Sequence, residues 1–148
     1  SQALSATFLN WLNQDVVYII DDREKAAFEK LATDEERNHF IEQFWARRDT
    51  NRETPANEAK EEHYRRIAYS NERYGRPESP GWKTDQGRLY IQHGPPDEIE
   101  THPSEGYEIW AYKQMDGIEG RAEAEFRNPN PNRPGPWVLT KPLGAAVR

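Results

Sequence analysis

Between Asp85 and Glu98 the chain gathers one imidazole and three carboxylates, the groups in this sequence best suited to chemistry. His93 runs into Gly94-Pro95-Pro96-Asp97-Glu98, and Asp85 stands upstream of it. An imidazole beside carboxylates can relay a proton or hold a metal ion. Asp85, His93, Asp97 and Glu98 therefore outline a hydrolase or metal-dependent enzyme, provided that all four converge in one cleft. The pattern for a metal is thin. Zinc sites show spaced ligand pairs, such as H-E-x-x-H on a helix, and none occurs here, so neither a metal ion nor another cofactor is expected. Asp85 also has a second reading, shared with Thr84. Thr84-Asp85-Gln86-Gly87 has the form of a turn, with side-chain oxygens early to accept backbone N–H groups and glycine last. In that reading Asp85 is a brace and Trp82 a plug in the core.

Aromatic residues suggest a different activity. Trp82, Tyr90, Trp110 and Tyr112 fall in or beside the strand-like part of the chain, and Arg88 shares a face with Tyr90. Exposed, such rings form a flat platform for a glycan or peptide. Buried, they fill a core that has few aliphatic side chains. The remaining candidates have structural readings. His63 shares a helix face with Ala59 and Ile67, as a core histidine bonded to a carbonyl or carboxylate does; His39 and His102 are isolated. Asp34, Glu35 and Glu36 occupy a helix's first turn, where the helix dipole favours acids. No serine lies in G-x-S-x-G or S-x-x-K, and neither G-x-G-x-x-G nor a P-loop occurs. Serine hydrolases and nucleotide cofactors are therefore unsupported.

The elements that must position these residues come in two groups. Leu4, Phe8, Leu9 and Leu12 recur at helical spacing, with Trp11 on the same segment. Val16-Val17-Tyr18-Ile19-Ile20 is short and β-branched; periodicity leaves strand and helix both open. Asp21 or Asp22 can cap a helix reaching Leu31. Thr33 followed by Glu36 is a capping box for a helix that buries Phe40, Ile41, Phe44 and Trp45 and ends on Arg47 and Arg48. Thr54-Pro55 signals another helix running to Tyr74, with Gly75 as a left-handed cap. Beyond it the pattern changes. Arg88-Leu89-Tyr90-Ile91-Gln92 alternates, predicting a short strand with Leu89 and Ile91 inward. Glu98–Glu100 resumes an extended course with Ile99 inward. Tyr107–Lys113 reads as a strand, and Arg121–Arg127 as its hairpin partner with Ala122, Ala124 and Phe126 inward. Residues 128–136 are irregular, Trp137–Thr140 forms a last strand, and the chain frays from Gly144. Helices first and strands after, with short connections, give an α+β fold: N-terminal helices packed on a small, mainly antiparallel meander. One domain spans residues 1–148, with a helical half to 75, a strand-rich half over 76–142 and a tail over 143–148.

Composition narrows the function further. Only 34% of the chain is hydrophobic and mean hydropathy is −1.12, while five Trp and seven Tyr are present. The core is expected to be small and aromatic. The net charge of −6 is spread: the first 75 residues carry 11 basic and 15 acidic side chains, the rest 9 and 11. No basic stripe exists for a phosphate backbone, so nucleic acid is not an expected partner. Cysteine is absent, which removes disulfides, thiolate metal sites and a cysteine nucleophile. No apolar run reaches membrane-spanning length.

Gly81-Trp82-Lys83-Thr84-Asp85 resembles the motif for which the GWxTD domain family is named. Gly87-Arg88-Leu89-Tyr90-Ile91 and Gly94-Pro95-Pro96-Asp97-Glu98-Ile99 are similar to the family's following run. So are Phe44-Trp45-Ala46-Arg47-Arg48-Asp49, Glu61–Tyr69 and Glu108-Ile109-Trp110-Ala111-Tyr112. The segment between Glu100 and Tyr107 departs from it by being shorter than in many relatives. The family comprises exported bacterial proteins of unknown function, so the resemblance implies an extracytoplasmic address, in the periplasm or at the cell surface, and no defined activity. With no catalytic or metal signature in the sequence, the leading reading is a non-enzymatic binding or structural module that meets a protein or glycan partner through the Trp82–Asp97 surface, with the enzyme as its rival. A G-P-P-D turn ahead of Trp110-Ala111-Tyr112 is also similar to outer-membrane assembly lipoproteins of the SmpA/OmlA type, an analogy that implies a scaffold.

Overall fold

Phe8 and Leu12 of the N-terminal stripe are buried together with Trp11, whereas Leu9 is exposed, because the helix carrying the stripe is irregular. In the computed structural model, which describes residues 4–130, 132, 133 and 135–146, α1 (Ala6–Asn10) widens into a π-helical turn over Trp11–Asp15. The Val16 amide bonds back to the Trp11 carbonyl at 3.1 Å, and the Ile19 and Ile20 amides both bond to the Val16 carbonyl. Residues 16–20 are therefore a turn, neither strand nor helix. Val16 is fully buried within it.

The two reciprocal caps form as their sequences require. Asp21 accepts from the Glu24 amide and Glu24 from the Asp21 amide, opening α2 (Asp22–Glu29). Thr33 and Glu36 do the same for α3 (Asp34–Arg48). Between them lies an aromatic core. The Trp11 ring meets Phe28 at 5.1 Å and Phe44 edge-on at 5.2 Å, and Phe44 meets Trp45 at 5.0 Å. Each such pair adds about 0.5–1.5 kcal/mol to the burial itself. α4 (Glu58–Tyr74) starts later than Thr54-Pro55 suggests. Asn57 takes the cap instead, because its side chain satisfies two orphan groups, accepting from the Lys60 amide and donating to the Trp45 carbonyl. The Thr54 hydroxyl donates to Glu58. His63, buried as expected, bonds through Nε2 to the Asp15 carbonyl, and the Tyr64 hydroxyl donates to the Asp15 carboxylate.

Glu24 ties this helical part together electrostatically. It meets Arg47 at 3.0 Å and Arg48 at 2.8 Å, while Arg48 lies 3.6 Å over the Phe44 ring. Burial pushes the Glu24 carboxyl up, but hydrogen bonds from Arg48, the Asp21 amide and Arg47 outweigh it and hold the group down at about 2. A carboxyl lowered on folding adds stability above its unfolded pKa and loses it as pH falls through the folded value. The window here runs from 4.5 down to about 2. Glu24→Gln is expected to cost about 2 kcal/mol at pH 7 and less at pH 3, as urea titrations at the two pH values will show.

The chain separates into two compact units, one reaching to Arg66 and the other starting at Ile67, so the boundary falls inside α4. In the second unit, Gly81–Lys83 forms one 3-10 turn and Asp85–His93 forms α5. The strand expected over Arg88–Gln92 is thus a helix. Thr84 is its N-cap, and its buried residues are Gln86, Gly87, Leu89 and Ile91. Four strands follow: β1 (Glu98–His102), β2 (Tyr107–Tyr112), β3 (Ala122–Arg127) and β4 (Val138–Ala145). They form an antiparallel meander in the order β1-β2-β3-β4. One sheet face is apolar. Trp110, Tyr112, Ala122, Ala124 and Phe126 are buried there with Leu89 of α5. The opposite face runs in rows, Glu98–Ala111–Glu123, Glu100–Ile109–Glu125 and His102–Tyr107–Arg127. Glu125 is nonetheless buried at a register irregularity, where it accepts from Thr140 at 2.6 Å and Arg127 at 3.1 Å.

Three local expectations change. Gly75 does not adopt the left-handed conformation; a Cβ there would stand 2.5 Å from the Asn71 carbonyl oxygen, so space demands the glycine. The last strand does not stop at Thr140, and the chain does not fray at Gly144. Gly144 pairs with Glu123 and Ala145 with Ala122, while residues 147 and 148 lie outside the described ones, as do Pro131 and Pro134 of the irregular connection.

Candidate functional site

Gly81 begins the motif by touching another backbone. A Cβ at this position would overlap the Ser70 carbonyl oxygen of α4 and lie 2.7 Å from the Asn71 Cα. The next residue, Trp82, donates its amide to the Asn71 side chain at 2.9 Å. Thr84 then turns the chain. Its hydroxyl donates to the Gly81 carbonyl at 2.7 Å and accepts from the Gly87 amide at 3.0 Å. Gly87 packs back on the Gly81 carbonyl, where a Cβ would overlap it, and its own carbonyl accepts from the fully buried Ser70 hydroxyl at 3.4 Å. Ser70, Gly81, Thr84 and Gly87 thereby close a ring of contacts between α4 and α5 in which no side chain is larger than threonine.

Asp85 leaves this ring in another direction. Its Oδ2 accepts from the Leu139 amide of β4 at 2.8 Å, and its Oδ1 lies 3.8 Å from Arg88. The carboxylate is a brace, as the turn reading holds, but it braces a distant strand and not its own turn. Asp97 behaves alike. Its amide donates to the Ala111 carbonyl at 2.9 Å and its carboxylate accepts from the Lys113 amide at 2.7 Å, fastening the start of β1 to the end of β2. Glu98 pairs with Arg121 at 3.1 Å.

The four groups of the enzyme reading do not converge. Asp85 and His93 are the first and last residues of α5, and at 1.5 Å per residue they stand about 12 Å apart along the axis. His93 is exposed. No group of three or more His, Asp or Glu that could hold a metal ion occurs among the described residues.

The aromatic platform is also smaller than its sequence suggests. Trp110 is 0% and Tyr112 4% exposed, so both leave the candidate surface. The physical cause is saturation: the Trp110 indole N–H donates to Glu108 at 2.7 Å, the Tyr112 hydroxyl donates to the Gly94 carbonyl at 2.8 Å, and both rings pack in the sheet core. Trp82, Arg88 and Tyr90 remain half-exposed. Tyr90 stacks on the exposed Tyr69 of α4 at 4.5 Å, and Lys83 lies 5.4 Å from the Trp82 ring centre.

A groove of about 190 Å3 that the sequence did not reveal is lined by Arg73, Tyr74, Arg76, Gln86, Glu108 and Trp137. Gln86 is buried and donates to the Glu108 carboxylate at 3.3 Å. Its signal was a polar residue on the buried stripe of α5, visible only once that segment is read as a helix. Among the described residues no helix is long and apolar enough to cross a membrane.

Comparison with known proteins places residues 5–141 within one family model, that of the GWxTD domain. No curated protein and no solved structure matches the chain.

Proposed function

Since the chain belongs to the GWxTD domain family, we propose that it is a non-enzymatic binding and structural module of an exported bacterial envelope protein. Its matched span works as one domain, on a protein or glycan partner. The observation that carries this reading is the use made of the motif. Gly81, Thr84 and Asp85 are all engaged inside the second unit, by α4, by α5 and by β4 respectively. Engagement of the motif in holding elements together supports an architectural role, and the position of Asp85 and His93 at opposite ends of α5 speaks against their acting as a pair. The extracytoplasmic address rests on the resemblance to exported bacterial proteins.

The experiment is thermal unfolding of Asp85→Ala beside Asp85→Asn. Alanine leaves the Leu139 amide without its acceptor, at a cost of about 1–3 kcal/mol, or a midpoint about 3–10 °C lower in a chain of this size. Asparagine keeps an oxygen acceptor and should recover most of that loss. An unchanged midpoint for Asp85→Ala would overturn the reading, because the carboxylate would then serve something other than the fold.

A further inference from the structure

We propose that β1 is a docking edge for an extended basic segment of a partner protein, which joins the sheet as a fifth strand. β1 ends the strand order, paired with β2 on one side only. An edge strand leaves alternate N–H and C=O groups available to another chain. Its side chains say what kind of chain. Glu98 and Glu100 point to the polar face, and the residues opposite them on β2 are Ala111 and Ile109, so β2 offers neither carboxylate a cross-strand cation. Both remain open, with side chains 54% and 61% exposed despite Arg121 beside Glu98 and His102 beside Glu100. Between them Ile99 lies in register with the buried Trp110 yet is 51% exposed. It is the outermost, exposed member of an apolar row whose inner members, Trp110 and Ala124, are buried. A strand added along β1 would set cations opposite Glu98 and Glu100 and an apolar residue opposite Ile99. Opposite charges and apolar contacts directly across a ladder are the pairs that stabilise sheets.

A second copy of this chain is the wrong occupant. Antiparallel self-pairing centred on Ile99 sets Glu98 against Glu100 twice, and pairing centred on Glu100 sets that residue against itself. Acidic side chains thus guard the edge against its own kind while leaving it selective for the opposite charge. The partner segment is of the form basic–apolar–basic in extended conformation, the β-augmentation mode of peptide recognition.

The proposal rests on the chain being a binding module, and its test is independent of the motif. A capped, fluorescein-labelled Lys-Val-Lys-Val-Lys peptide is titrated into the full chain by anisotropy, with amide chemical shifts followed in parallel. Saturable binding is expected, with shifts concentrated at residues 98–102. A peptide of the same charge, N-methylated at alternate residues along its pairing edge, should bind about tenfold more weakly or worse, as should the wild-type peptide to Glu98→Gln/Glu100→Gln. Equal affinity of the N-methylated peptide would reduce the effect to bulk charge and overturn the proposal. Shifts centred elsewhere, or no binding up to about 1 mM, would overturn it too. Either failure alongside a destabilised Asp85→Ala would remove the edge and leave the module reading standing.

Discussion

Gly81→Ala lowers the stability of this protein by about 3 kcal/mol, which calorimetry would register as a midpoint about 10 °C lower. The substitution adds a single methyl group, and on an open surface alanine would be neutral or favourable. Here the methyl falls on the backbone of α4, overlapping the Ser70 carbonyl oxygen. A flexible side chain could swing aside, but a helical carbonyl cannot move without breaking the bonds of its own turn. The damage should spread along the ring. Pushing Gly81 away from Ser70 also moves the carbonyl that the Thr84 hydroxyl binds, and that hydroxyl is the cap of α5. Thr84→Ala removes only the cap and should cost about 1 kcal/mol, so the ratio of the two losses separates backbone overlap from lost capping. A Gly81→Ala protein as stable as wild type would mean that α4 and the 3-10 turn do not come into backbone contact at Ser70.

Trp110→Ala should be the other severe substitution, costing about 3–5 kcal/mol and lowering the midpoint by about 10–16 °C. The ring is fully buried, 4.9 Å from Phe126 and 5.8 Å from Tyr74. Truncation leaves a cavity and strips Glu108 of its shortest hydrogen bond. Trp110→Phe refills most of the volume and isolates the polar part of the loss, which should be about 1–2 kcal/mol. Urea titration of both variants distinguishes a core tryptophan from a binding one. A binding platform would lose affinity at constant stability, whereas a core residue shows the reverse.

What the sequence revealed was local, and what it hid was remote. The starts of α2 and α3 are legible because a capping box is complete within four residues, and the β2–β3 hairpin is legible because Ala122, Ala124 and Phe126 alternate with glutamates. α5 reads as a strand in the sequence for a physical reason. Leu89 and Ile91 are both buried and alternate as in a strand, while Gly87 looked like the end of a turn. Its glycine is required instead by the Gly81 carbonyl pressed against it, a contact no local pattern displays. Trp110 and Tyr112 were open to either a platform or a core, since composition cannot say which rings find partners. Asp85 and Asp97 were recognisable as oxygens waiting for amides. Their donors, Leu139 and Lys113, carry no signal in sequence because a backbone N–H belongs to almost every residue.

The bond from Asp85 to Leu139 also sets a schedule. It joins the beginning of α5 to the final strand, across the whole meander. A nascent chain emerges from its N-terminal end, so the capping boxes at Asp21 and Thr33 can close early, while the Asp85 carboxylate waits for β4. Contacts of such long sequence separation are costly to close and form late. The second unit is therefore held incomplete until its last strand arrives, and anything that keeps β4 engaged elsewhere delays closure of the structure around the motif.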